Sequence, residues 1–338
     1  MTLPVILAVD GGNSKTDLAL VRADGQLLAH VRGPLSSPHH LGLDACVELL
    51  QGMVDDAVTS AGIARNGARV AEIAEIFLAG VDFPTEEAQL QQAVEARDWA
   101  ARTVVGNDTF AVLRAGTARG WGVAVVCGAG INCVGVAPDG RHLRFPALGA
   151  ITGDWGGGYD VGLAALSAAA RSEDGRGPAT SLERAVPAHF GLTTPLEVAE
   201  AIHGGRVAQR RVIELAPVVF AEAAHDDVAA GIVERLAAEV VALARVAITR
   251  LELEREPVEV LLGGGLLRAG DGRLLGAIER GVRELGEQIE VHRTASPPVV
   301  GAALFGLDAL GADEEAGARA RAELAAAVDS DEEVNGDG

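Results

Sequence analysis

The sequence predicts an α/β protein built as two similar lobes, and three observations lead there. A strand, a glycine-rich loop, a second strand and an Asp-Gly turn follow one another twice, roughly half a chain apart. Between and after these repeats lie stretches with apolar residues at three-to-four spacing, the helical period. A chain of 338 residues that is 49% hydrophobic has enough apolar surface for two cores. Only 3% of residues are aromatic, so the cores must be Ala, Val, Leu and Ile, with closely packed helices.

The first repeat opens with Val5-Ile6-Leu7-Ala8-Val9, an aliphatic run ending at Asp10; Leu18-Ala19-Leu20-Val21 follows just beyond a glycine turn. Together they read as a hairpin. Asp24-Gly25 then supplies the positive φ of a tight turn into a third strand, Leu27 to Val31. The second repeat runs Gly122 to Cys127, the loop Gly128-Ala129-Gly130-Ile131-Asn132, Cys133 to Val136, and Asp139-Gly140. Helical spacing marks 85–97, 108–118, 161–171 and 228–253, and Thr194-Pro195-Leu196-Glu197 is a capping box that starts a helix running to Ile202. Further strand candidates are 76–79, 103–105 and 258–262.

The formal charge of −20 argues against a nucleic-acid partner, because phosphate backbones are held by clustered Lys and Arg. The apolar runs stop short of a membrane span, and the start lacks the pattern of a signal peptide, so a cytoplasmic protein with no membrane partner is expected. Cys46, Cys127 and Cys133 have no metal-ligand spacing and read as reduced thiols.

Of the 28 Lys and Arg residues one is lysine, Lys15, and it stands in the turn Asp10-Gly11-Gly12-Asn13-Ser14-Lys15-Thr16. Successive backbone N–H groups in such a turn form an anion-binding concavity, to which Lys adds a compact charge. Neither standard nucleotide fingerprint fits: Gly-x4-Gly-Lys-Ser/Thr is absent, and Cys133 stands where a third Rossmann glycine belongs. Five pieces do occur in order. They are the Asp10–Thr16 turn, Gly106-Asn107-Asp108, the Gly128–Cys133 loop, Thr152-Gly153-Asp154-Trp155-Gly156-Gly157-Gly158, and Leu261-Leu262-Gly263-Gly264-Gly265.

That set resembles the acetate kinase, sugar kinase, Hsp70 and actin superfamily. Within it, from about residue 5 to 310, the chain is similar to the N-acetylglucosamine kinases of the BadF/BadG/BcrA/BcrD ATPase family. The resemblance implies a two-lobed actin-like ATPase (ribonuclease H-like) fold, with duplicated mixed sheets flanked by helices. Residues 1–118 would form the N-terminal lobe, completed by a helix over 298–312, and 119–297 the C-terminal lobe. Residues 313–338 read as an acidic, disordered tail, since 311–338 holds nine acidic residues against two arginines. The implied reaction is ATP-dependent phosphorylation of an amino sugar, N-acetylglucosamine at its 6-hydroxyl first, with glucosamine or another hexose as alternatives. A homodimer and Mg²⁺ are expected by analogy.

On this reading Asp10 holds Mg²⁺, whose hard oxygen ligands suit a carboxylate. Gly11, Gly12, Asn13, Ser14, Lys15 and Thr16 meet the phosphates of ATP, joined by Gly128, Ala129 and Gly130, while Gly263, Gly264 and Gly265 lie against adenine or ribose. Asp108 is the candidate general base for the sugar hydroxyl, its rival role being a helix N-cap. Asp154 takes two sugar hydroxyls, with Asn132, Ile131, Gly149 and His40 as further substrate contacts. Ala129 and Ile131 replace hydroxyl residues of well-known members, and Ser36-Ser37-Pro38-His39-His40 lacks the family's asparagine. Trp155 is either a stacking platform or packing. Two other functions stay open: an ATPase activator of a 2-hydroxyacyl-CoA or benzoyl-CoA type dehydratase or reductase, which needs cluster-ligating cysteines, and a non-catalytic sugar sensor.

Overall fold

The computed structural model describes residues 5–63 and 69–336, with side chains as far as residue 331. The chain divides into two compact units: Met1–Gly122 with Thr294–Gly338, and Val123–Arg293. The boundaries expected from sequence fell at 118/119 and 297/298.

In the first unit the order is β1 (Val5–Gly11), β2 (Lys15–Arg22), β3 (Leu27–Pro34), α1 (Pro38–Leu41), α2 (Leu43–Ser60), β4 (Ala71–Leu78), α3 (Pro84–Glu95), β5 (Ala100–Asn107) and α4 (Asp108–Gly116). The second holds β6 (Gly122–Cys127), β7 (Ile131–Val136), β8 (His142–Arg144), α5 (Gly157–Glu173), α6 (Leu182–His189), α7 (Pro195–His203), α8 (Ala216–Glu222), α9 (Asp227–Arg250), β9 (Glu259–Gly263), α10 (Gly265–Arg268), α11 (Gly272–Arg283) and β10 (Glu290–Arg293). The chain returns to the first unit with α12 (Pro298–Leu310) and α13 (Glu314–Gly336).

The duplication read from sequence is real at the level of topology. One sheet runs β3-β2-β1-β4-β5 and the other β8-β7-β6-β9-β10, so each strand has its counterpart in the other unit. In each, an Asp-Gly turn leads to the third strand. Gly25 and Gly140 have φ of 83° and 85°, and Asp24 and Asp139 accept from the backbone N–H two residues on, at 3.1 and 3.0 Å. The short polar side chain closes the turn while glycine takes the left-handed conformation.

Side chains alternate along the first sheet and feed two cores. Leu7, Val9, Leu18 and Leu20 pack with Cys46, Leu50, Val54 and Trp99 on one face. Ile6, Ala8, Ala19 and Val21 pack with α4, α12 and α13 on the other. Small residues allow close approach there: a Cβ on Gly301 would lie 1.9 Å from the carbonyl oxygen of Ala111. Of the described residues, no helix is long and apolar enough to cross a membrane.

The expected disordered tail needs correction. Residues 314–336 are helical, because Ala316, Ala320, Leu324 and Val328 recur every four residues and bury against the first sheet's outer core. Asp313, Glu314, Glu315 and Asp329 are exposed off that stripe, so overall charge concealed a narrow apolar face. The last two residues, 337 and 338, lie outside those described.

Glu75 on β4 is 3% exposed and faces this second core. Burial pushes its carboxyl up to about 8; the charge of Arg102 pulls it down and that of Asp308 raises it further. Being protonated when folded and ionised when unfolded, it costs stability as pH rises from its ordinary 4.5 through about 8. Glu75→Gln should flatten that slope, and melting at pH 5 and pH 8 checks it: the variant is expected to outlast the wild type at pH 8.

Candidate active site

Parallel pairing fixes the candidate residues of the first unit. Gly11 lies opposite Leu78 on β4, and Leu78 opposite Asn107 on β5. With neighbouring strands about 4.8 Å apart, the carboxyl ends of three strands form one row roughly 10 Å long. Asp10, Asp82 and Asp108 all fall at or just beyond it, where open α/β sheets bind ligands.

At the head of the row the Gly12–Lys15 turn is tight. The Gly12 N–H donates to the Lys15 carbonyl at 2.8 Å, and the Thr16 hydroxyl, wholly buried, donates to the Pro34 carbonyl at 2.7 Å. The Gly12 N–H was expected to meet phosphate and is committed to the hairpin itself, as is the Thr16 hydroxyl. Asn13 and Ser14 are exposed, and Lys15 keeps 41% of its side chain in solvent. Gly11 is required by crowding: a Cβ there would sit 2.1 Å from Ser36 Oγ and 2.4 Å from Leu78 Cδ2.

Asp108 is not the cap of its helix. Asn107 is: its Oδ1 accepts from the Thr109 N–H at 3.1 Å and from the Thr109 hydroxyl at 2.5 Å, while its Nδ2 donates to Asp82 Oδ1 at 2.9 Å. Asp108, the first helical residue, is thereby relieved of the role that competed with catalysis. Burial and then the charge of Asp82 push its carboxyl up to about 7, partly opposed by the N–H groups of Thr109 and Asp108. A carboxylate poised near neutrality has the proton affinity a general base needs. Sequence reasoning missed Asp82; its signal was position alone, four residues beyond a strand that pairs with β1.

In the second unit three sequence motifs converge. The Gly128 and Ala129 carbonyls accept from the N–H groups of Gly158 and Tyr159 at 2.8 and 3.0 Å, so the first turn of α5 is docked on the loop. Gly157 permits this, since its φ is +79° and a Cβ would meet the Ala129 carbonyl at 2.4 Å. Val126 pairs with Gly263, and Gly264 (φ +85°) rests on the Cys127 backbone, where a Cβ would approach to 2.4 Å.

Gly128, Gly130 and Gly265 are different. A Cβ on any of them would meet nothing within 4 Å, and none has a left-handed φ, so neither packing nor strain calls for glycine there. Bare backbone at a strand end leaves room for a ligand. Ala129, Gly130 and Gly265 are exposed.

Among the expected sugar contacts, Asp154 is partly exposed and its Oδ2 accepts from the Thr152 hydroxyl. The Gly149 carbonyl gathers the N–H groups of Thr152, Gly153 and Asp154 at 2.9–3.1 Å, which shapes the loop that presents the carboxylate. Asn132 Oδ1 is turned back on the Cys133 N–H at 2.7 Å, and Ile131 is buried against Gly156, so the latter serves packing. His40 is exposed on α1 beside His39. Arg235 lies 3.9 Å over the Trp155 ring. One face of the indole is therefore occupied by a cation–π contact.

All three thiols are buried, and burial pushes Cys46 up to about 11, Cys127 to about 12 and Cys133 higher still. Protonated thiols without surface exposure do not suit a cluster shared between subunits. Among the described residues no group of three or more His, Cys, Asp or Glu could hold a metal. Magnesium fits this donor set in one way, through Asp10 together with a nucleotide's own phosphates.

The two kinds of glycine separate by experiment. Gly264→Ala is expected to cost about 1–3 kcal/mol through overpacking and backbone strain. Gly130→Ala should stay within about 0.5 kcal/mol of wild type in a denaturant melt, yet weaken binding of a nucleotide.

The chain is similar to several known proteins. An N-acetylmuramic acid/N-acetylglucosamine kinase of Clostridium acetobutylicum is 26% identical over 78% of this chain and 85% of its own length. An N-acetyl-D-glucosamine kinase of Dictyostelium discoideum is 25% identical over 91% and 99%. The crystal structure of a provisional N-acetylglucosamine kinase from Chromobacterium violaceum superposes with a TM-score of 0.71 at 24% identity, covering 90% of this chain and 99% of that one. The model of the BadF/BadG/BcrA/BcrD ATPase family matches residues 7–306, a segment that takes in the Lys15 turn, Asp108 and both groups of glycines in the second unit, and the chain belongs to that family.

Proposed function

We propose that this ATPase-family member is an ATP-dependent sugar kinase acting on the 6-hydroxyl of an amino sugar, N-acetylglucosamine foremost. One observation carries the reading: Asp108 is released from helix capping by Asn107, is held near neutrality, and stands at the end of the strand row that begins at Asp10. The names of the curated relatives support the amino-sugar class.

The substrate hydroxyl oxygen attacks the γ-phosphorus while its proton passes to a carboxylate oxygen of Asp108. The bond from the γ-phosphorus to the bridging oxygen breaks, and ADP leaves with the electron pair. Lys15 offsets charge on the transferring group, and the open backbone at Gly128, Gly130 and Gly265 receives the nucleotide. Asp154 holds two neighbouring sugar hydroxyls. Mg²⁺, when bound through Asp10, supplies neutralisation of the phosphate charge. The activator alternative is disfavoured because its chemistry needs accessible cysteines, and all three here are buried.

Incubating the protein with Mg²⁺-ATP and a panel of hexoses and amino sugars, with ADP release and phosphosugar mass followed together, is the direct test. N-acetylglucosamine should give a phosphosugar; ADP release with no phosphosugar from any member of the panel would refute the kinase reading. Asp108→Asn is expected to lower kcat by about 10²–10⁴-fold while ATP binding persists. Because the base works deprotonated, wild-type kcat/KM should rise with pH through about 7, and a rate profile flat from pH 5.5 to 8.5 contradicts the assignment.

A further inference from the structure

We propose that Asp17 is a positioning residue for Lys15, and that α13 secures it through His30. The inference rests on the reading of Lys15 as a phosphate contact. Asp17 pairs across the hairpin with Asp10 and is 1% exposed. Its carboxylate accepts from His30 Nε2 at 3.0 Å and from Arg32 Nε and Nη2 at 2.8 and 3.3 Å, and Lys15 Nζ stands 3.9 Å away. Burial raises its carboxyl, but the His30 and Arg32 hydrogen bonds and the charges of Arg32 and Lys15 prevail and hold it below the ordinary range.

Strand alternation puts Lys15 and Asp17 on one face of β2, with His30 and Arg32 on the same face of β3. One arginine fork would by itself satisfy a buried carboxylate. Here the lysine leans on it too, so a long flexible stem ending in the ammonium is confined beside the phosphate turn and less freedom is lost when a phosphate arrives.

The second ring nitrogen of His30 ties this cluster to the C-terminus. Nδ1 lies 2.9 Å from Asp331 Oδ2. Asp331 follows Val328 by three residues and so falls on the same face of α13 as the buried stripe, itself half-exposed. The helix is pinned along its length. Glu323 accepts from the Leu27 N–H at 2.7 Å, Arg319 pairs with Asp24 at 3.5 Å, and Arg321 donates to the carbonyls of Arg114, Ala115 and Thr117. This anchored segment lies beyond the family-matched residues 7–306. The acidic C-terminal helix is thus connected to the phosphate turn through Asp331, His30 and Asp17.

The full-length chain carrying Asp17→Asn, Asp331→Asn or Asp329→Asn tests this. Asp329 is exposed on the same helix and serves as the control. Calorimetric titration with a non-hydrolysable ATP analogue, and separate KM values for ATP and sugar, are the readouts. Asp17→Asn should weaken analogue binding about fivefold or more and Asp331→Asn about twofold to threefold, with sugar KM within about twofold of wild type and the control unchanged. Should Asp17→Asn not fold, Asp331→Asn at its 40%-exposed position decides alone. Wild-type nucleotide affinity in Asp331→Asn overturns the proposal, as does a parallel loss for both substrates with a lowered melting temperature. Sugar phosphorylation by the wild type tests the kinase reading separately.

Discussion

The backbone ladder among β1, β4 and β5 is the constraint on which the candidate residues of the first unit depend. Parallel pairing brings Gly11, Leu78 and Asn107 into one row, so three chain segments far apart in sequence end together. Each carries a carboxylate close to its end: Asp10 one residue before the last of β1, Asp82 four residues beyond β4 and Asp108 immediately after β5. A one-residue slip in that register would turn every alternate side chain to the opposite face and disperse the cluster. The two apolar cores on either face of the sheet hold the register in place.

The second unit repeats the strand order but uses it differently. Its parallel pair, β6 and β9, brings Cys127 beside Gly264, and the loop after β6 is buttressed by the start of α5. Glycine is spent there on two distinct needs. Gly157 and Gly264 are where backbone rests on backbone, whereas Gly128, Gly130 and Gly265 leave open space where a side chain would stand. The same residue type thus builds a rigid frame and an accessible surface within a few residues.

Much of this was legible before the structure. Both meanders, the capping box at Thr194 and the strand-to-helix junction at Asp108 carry strong local signals, and each forms as read. The helix Leu43–Ser60 went unremarked although its buried residues, Cys46, Val47, Leu50, Met53, Val54, Ala57 and Val58, keep helical spacing. The acidic tail misled because net charge averages over all faces of a helix, while burial needs only one. Asp17, His30, Asp82 and Asp331 had no local signal: their meaning comes from partners across strands and, for Asp331, from 301 residues away. Gly12 and Ile131 erred the other way, since motif position suggested ligand contacts and hydrogen bonding or packing had already claimed them.

By itself the sequence determined the elements and their duplication, because hydrophobic period, turn glycines and capping residues act over a few neighbouring positions. It also determined which residues were chemically suited to phosphate and to proton transfer. Tertiary structure alone decided which of them remain available. Asn107 rather than Asp108 caps α4, Asp82 raises the proton affinity of Asp108, and the C-terminal helix reaches His30. These outcomes depend on burial and on charges brought together through space, and neither is encoded at any single position along the chain.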